Sequence, residues 1–196
     1  MKLSKYALLV ASGLMVSAGA MAGQTVSSGG TGTVNIAGTI RNATCSIDMP
    51  SKSVDFELSK VDINKAAPKA ELITLPLNIS VKNCANQKLS FSAISNLRDT
   101  TNTIMGYFDT AGDSKHSLGF FVGVKSAAEV SGGYPTLSKG TNLVDLSGSD
   151  VAPVMLLSTN ADTTYTLNNI IVKNIGDANT ITGNKVAATY NYTFTY

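Results

Sequence analysis

The sequence predicts an all-β fold, an antiparallel sandwich, from three observations. Short runs in which apolar and polar residues alternate recur along the chain, and Gly, Asn, Asp and Ser separate them. Only Asp62–Leu72 could form a helical turn, and Pro68 interrupts it. The stretch with the strongest β propensity is Val186–Tyr196, where Tyr190, Tyr192, Phe194 and Tyr196 fall on one face and Thr189, Asn191, Thr193 and Thr195 on the other. Seven or so strands at this spacing suit a two-sheet sandwich.

In chain order, Lys2 and Lys5 precede an apolar stretch from Tyr6 to about Val16, and Ala20-Met21-Ala22 supplies an A-x-A cleavage signal before Gly23. The apolar stretch is too short to span a bilayer. Residues 1–22 therefore read as a secretory signal peptide, and the mature chain as exported and soluble. Residues 23–33 are small, polar and Gly-rich, a composition that buries little by itself. Extending the phase of the next strand backwards nevertheless puts Val26, Ser28, Gly30, Gly32, Val34 and Ile36 on one face. Such an arm, with apolar ends and a small middle, suits addition to an exposed sheet edge.

Val34 to Ile47 reads as the first strand. In Leu72–Val81, Ile73, Leu75, Leu77, Ile79 and Val81 alternate with polar or small residues, and Pro76 argues for an edge or a bulge. Leu89–Ile94 follows a turn at Asn83–Gln87, and Leu118–Val124, Val151–Leu157 and Tyr165–Val172 are the next strands. Val186–Tyr196 must pair with a neighbour and bury its aromatic face. No internal repeat or composition break marks a second domain.

The two cysteines, Cys45 and Cys84, are expected to form a disulfide in an exported chain. Loop closure of that length stabilises by about 4 kcal/mol. A metal site would want more ligands than the one histidine, His116, provides, and a redox pair would lie closer in sequence.

The chain has 15 Lys+Arg and 13 Asp+Glu; without Lys2 and Lys5 the balance is 13 against 13. No basic cluster interleaved with aromatics remains, so nucleic acid is not an expected partner. Low net charge suits a protein that packs against copies of itself. Enzymatic machinery is missing too: there is no G-x-S-x-G motif and no thiol left free once the cysteines pair. Asp109, Asp113, Asp145, Asp150 and Asp162 lie near turns and read as turn and cap residues. No catalytic, cofactor or metal residue is assigned.

Several segments together carry a family likeness. They are the signal peptide, the arm Gly30-Thr-Gly-Thr-Val-Asn-Ile-Ala-Gly-Thr-Ile40, the segment Asn42-Ala-Thr-Cys-Ser-Ile-Asp48, the second cysteine at Cys84 and the alternating aromatic strand at the end. In these the chain resembles pilus (fimbrial) subunits of the chaperone–usher class, especially type 1 shaft pilins, over essentially all of residues 23–196. Members commonly have an aromatic at the penultimate position and a glycine about twelve residues before it; here Tyr196 is last and Gly183 lies thirteen before it.

The resemblance implies an incomplete immunoglobulin-like sandwich that lacks its last strand and is completed by donor-strand addition. It divides the chain into the signal peptide (1–22), a donor-strand extension (23–36) and a pilin domain (37–196). Val186–Tyr196 would form one groove wall, presenting Tyr190, Tyr192, Phe194 and Tyr196, and the strand after Ile36 the other. The donor face would be Val26, Ser28, Gly30, Gly32, Val34 and Ile36, with Gly30 or Gly32 leaving one pocket shallow. The implied partners are copies of the chain or other pilin subunits, a periplasmic chaperone and an outer-membrane usher, with host receptors engaged only indirectly. The implied product is an adhesive extracellular fimbrium on a bacterial surface. The alternative is a tip or minor adhesin that binds host glycans; adhesins of this class usually add a receptor domain and lack the donor arm.

Overall fold

The computed structural model describes residues 29–39, 45–49, 53–135, 140–148, 152–181 and 185–195. Residues 1–22, Val26, Ser28, Asp150, Gly183 and Tyr196 lie outside them. The strands are β1 (Gly29–Thr39), β2 (Ser46–Asp48), β3 (Ser53–Ser59), β4 (Glu71–Lys82), β5 (Gln87–Ile94), β6 (Gly106–Tyr107), β7 (Asp109–Thr110), β8 (Leu118–Lys125), β9 (Val130–Gly132), β10 (Thr141–Leu143), β11 (Val154–Ser158), β12 (Thr163–Lys173) and β13 (Lys185–Thr195). One helix, α1 (Lys60–Lys65), follows β3, and a 3-10 turn at Ala178–Thr180 precedes β13.

Two sheets face each other, as the sandwich prediction requires. The first runs β3-β1-β13-β5-β11-β9, with β7 also on β13; the second runs β10-β8-β12-β4-β2, with β6 on β8. Among the described residues every pairing is antiparallel but one: β1 lies parallel to β13. Among the described residues, no helix is long and apolar enough to cross a membrane.

The core fills the space between the sheets. Leu89 and Phe91 of β5, Phe120 and Val122 of β8, Leu156 of β11, Leu167 of β12, and Tyr190 and Phe194 of β13 are all buried there. Phe91 packs on Phe194 with ring centroids 5.1 Å apart, and Phe108 meets Phe120 edge-on at 5.5 Å. Each such side chain contributes about 1.5–3 kcal/mol through burial, which makes the inter-sheet layer the main source of stability. A smaller apolar cluster of Ile104, Met105, Phe121, Leu143, Ile170 and Val172 forms separately, with Tyr107 and Tyr134 against it.

Three sequence expectations need correction. The run from Val34 to Ile47 is two strands: β1 ends at Thr39 in the first sheet, and β2 starts at Ser46 in the second. Alternation persists in both, so periodicity alone does not mark the change of sheet. The helix begins at Lys60, two residues earlier than expected, because Ser59 caps it by accepting a 3.0 Å hydrogen bond from the Asp62 amide. It stops at Lys65, with Ala66 extended, ahead of the Ala67–Pro68 pair that disfavours helix. The second neighbour of β1 is β3, not the strand immediately after Ile36. Pro76 lies at an edge as expected: β12 pairs with β4 there, whereas β2 meets β4 only at Ser80–Lys82.

The second sheet is closely packed at Gly123. A Cβ there would lie 2.5 Å from the Asn142 carbonyl oxygen and 2.8 Å from the Leu143 Cα, both backbone atoms of or next to β10. Gly123→Ala is therefore expected to push β10 off β8 and cost about 1–3 kcal/mol. Thermal unfolding should show a midpoint lowered by roughly 3–10 °C.

Candidate functional site

The candidate site is the groove between β3 and β13, filled by β1. The two walls do not pair with each other; each pairs with β1. On one side, Thr31 to Thr39 run beside Lys185 to Thr193; on the other, Gly29 to Asn35 run beside Ser59 to Ser53. Residues 31–35 are thus paired on both sides.

The pairing register sets which residues are neighbours. Gly30 lies beside Leu58, and Gly32 lies between Phe56 and Val186. Val34 lies between Val54 and Ala188, Ile36 beside Tyr190, and Gly38 beside Tyr192. Gly30, Gly32 and Gly38 thus lie beside large wall residues, whereas Tyr190, equally large, lies beside Ile36. Val34 is fully buried in the core. Val54, Phe56 and Leu58 of β3 went unassigned in the sequence reading, although they alternate between Ser53 and Ser59.

The walls are tied together at one end. The Lys60 ammonium donates a 2.6 Å bond to the Ile181 carbonyl, and the Ala178 amide donates a 2.8 Å bond to the Asn64 side-chain oxygen. Ile63 of α1 is buried. Because α1 follows β3 and the 3-10 turn precedes β13, the contact fixes the wall spacing where Gly29–Gly32 are seated.

Tyr190 and Tyr192 are anchored by their hydroxyls. Tyr190 donates to Asn169 Oδ1 at 2.7 Å, and Tyr192 to the Met49 carbonyl at 2.7 Å. Phe194 is fully buried and meets the Tyr192 ring edge-on at 5.6 Å. The Cys45–Cys84 disulfide, with Cα atoms 4.8 Å apart, joins the segment leading into β2 to the loop after β4. Met49 lies four residues beyond Cys45, so the bridge holds the strand that presents the acceptor of Tyr192.

Burial raises the pKa of the Tyr190 hydroxyl well above its usual value, and burial with the Asp48 carboxylate raises that of Tyr192. Outside the groove, burial and then Asp99 push Tyr107 up to about 12. A tyrosine with a raised folded-state pKa stabilises the fold fully below its unfolded value of about 10 and loses that contribution as pH rises through the folded value. The melting temperature is therefore expected to be insensitive to these tyrosines near neutrality and to fall from about pH 10 upward. Calorimetry from pH 7 to 12 checks this; a midpoint unchanged at pH 11 contradicts it.

The acidic residues have local roles. Asp113 accepts bonds from the Ser117 amide at 2.6 Å and the Ser117 hydroxyl at 2.9 Å. Asp145 accepts from the Ser147 amide at 2.7 Å and the Thr103 hydroxyl at 2.6 Å. Asp162 accepts from the Asn83 amide at 3.4 Å, and Asp109 lies in β7. His116 stacks on Tyr107 with centroids 4.2 Å apart. Among the described residues, no three His, Cys, Asp or Glu side chains are grouped to hold a metal.

No family model matches the sequence, and no curated protein matches it. Solved structures do. A chaperone–usher pilus structure concerned with the basis of rod uncoiling has a TM-score of 0.55 and 16% identity, over 81% of this chain and 90% of that one. The P pilus rod subunit PapA is similar with a TM-score of 0.49 and 17% identity, over 79% and 99% of the two chains. The CupB6 tip adhesin from Pseudomonas aeruginosa has a TM-score of 0.36 and 14% identity, over 67% and 36%. The first likeness shows that this chain shares its fold with a chain of a chaperone–usher pilus. In this chain the sandwich's own β1 fills the gap between β3 and β13.

Proposed function

We propose that the protein is a structural, non-enzymatic subunit of an adhesive surface fimbria, exported through the periplasm and assembled by donor-strand exchange after chaperone–usher handling. The observation that carries this reading is that, among the described strands, β1 alone pairs with both β3 and β13. A sandwich completed by one extended segment can be completed equally by the same segment of another copy. Without it, the edge of β13 and the apolar layer behind it would be open to association. Donation from one copy to the next is heterologous and does not close on itself, so the product is a filament.

In this reading the described state is one in which the chain fills its own groove, with β1 parallel to β13. Assembly replaces that occupant by the arm of a neighbour, and a periplasmic chaperone holds the groove in the interval. The donor residues are Val26, Ser28, Gly30, Gly32, Val34 and Ile36. The receiving face is Tyr190, Tyr192, Phe194 and Tyr196, with Val54, Phe56 and Leu58 on the opposite wall.

The test is expression with the cognate chaperone and usher, followed by electron microscopy of material sheared from cells. The full chain is expected to give filaments, and a chain trimmed of residues 23–33 to give none. Filaments of normal length from the trimmed chain would sink the proposal. Retained glycan binding by the trimmed chain would favour the adhesin reading.

A further inference from the structure

The inward face of β12 carries Tyr165, Leu167, Asn169 and Ile171, all buried. Asn169 is fully buried in the central strand of the second sheet, between β8 and β4. Its amide nitrogen donates to the Leu75 carbonyl at 3.2 Å, and its oxygen accepts the Tyr190 hydroxyl from the opposite sheet at 2.7 Å. Tyr190 is itself buried, with its ring 6.2 Å from that of Phe120. Buried hydrogen-bonded polar pairs can fix one arrangement in a core where apolar packing would tolerate several.

We propose that Asn169 is a positioning residue of the groove. By holding the Tyr190 hydroxyl across the core, it fixes that ring where a strand donated by a second copy must bring a large apolar residue. In the chain's own β1, Ile36 holds the place beside Tyr190. A ring tethered at its far end does not swing to fill the space left by a smaller residue, so the groove discriminates at this position. A phenylalanine there, free of the tether, repacks and accepts the mismatch. The inference rests on the strand-exchange reading and adds the residue that sets its register.

The decisive comparison pairs the full mature chain with Tyr190→Phe/Asn169→Leu, which removes the hydroxyl donor and its acceptor together, giving up only the 3.2 Å Asn169–Leu75 bond besides. Each is incubated with two synthetic peptides spanning residues 24–39. One has the native sequence; the other carries Gly32→Val and Ile36→Gly, which moves the pair of large residues one same-face position along the strand, from 34 and 36 to 32 and 34. Peptide uptake is followed by native mass spectrometry, and thermal melting is measured in parallel. The wild type is expected to take up the native peptide at least tenfold faster than the shifted one. The double variant, melting close to wild type, is expected to discriminate less than threefold.

Tenfold discrimination retained in the double variant overturns the proposal, as does its absence in the wild type. Failure of both chains to take up even the native peptide overturns the strand-exchange reading itself, an outcome distinct from uptake without discrimination. Should the double variant not fold, Tyr190→Phe alone removes the tether while leaving the Asn169–Leu75 bond, and the same loss of discrimination is expected.

Discussion

A chain lacking residues 23–36 is expected to lose most of its thermal stability and to aggregate at concentrations where the full chain stays monomeric. The deletion removes all of β1 that pairs on both sides and takes Val34 out of the core. Burial of Val34 contributes about 1.5–3 kcal/mol. Each backbone hydrogen bond to either wall contributes a further 0.5–1.5 kcal/mol or so. Phe56, Val186 and Tyr190, which flank the deleted residues, would also gain exposure. The combined loss is on the order of 5 kcal/mol or more, against a total stability of about 5–15 kcal/mol for an ordinary domain. Calorimetry and size-exclusion chromatography read the outcome, and a synthetic peptide of residues 23–39 added in excess should restore a folded, monomeric species. A truncated chain that melts within a few degrees of the full one would mean that β3 and β13 close on each other without a third strand.

That expectation depends on features the sequence expressed unequally. β4, β5, β8, β12 and β13 are legible because their apolar residues alternate through or fill an eight- to twelve-residue strand. β3 is harder to see because it is short and carries Ser53, Asp55, Glu57 and Ser59 against only Val54, Phe56 and Leu58, giving Ser53–Ser59 the look of a polar connection. Those charges suit an edge strand, whose outer side must not recruit another chain. The direction of β1 beside β13 has no local signature, since a strand's side-chain period is two whichever way its neighbour runs. Asn169 was missed for another reason: within Tyr165–Val172 it reads as an outward polar residue until its phase with Leu167 and Ile171 is followed. The aromatic row of Tyr190, Tyr192 and Phe194 was visible from the start, whereas the hydroxyl acceptors that fix it are 21 and 143 residues away in sequence.

The Cys45–Cys84 bridge is the remaining element with a large expected effect. The cysteines are 39 residues apart, and releasing a loop of that size costs about 4 kcal/mol through the unfolded chain's regained freedom. Cys45→Ser/Cys84→Ser should therefore lower the melting midpoint by roughly 8–16 °C for a domain of this size. Loop entropy alone predicts that the loss appears equally everywhere in the fold. The structure adds a local consequence, because the bridge anchors β2 against β4 and Met49, just past β2, accepts the Tyr192 hydroxyl. With the bridge gone, amide exchange should accelerate first in β2 and in β13 around Tyr192, ahead of β8 and β12 at the centre of the other sheet. Hydrogen exchange followed by mass spectrometry separates the two. A melting shift below 2 °C would show that the bridge adds little to a fold already closed by β1. A full shift with uniform acceleration would confine its role to the unfolded state, and a shift with early loss at β2 and β13 would make the disulfide a support of the groove wall itself.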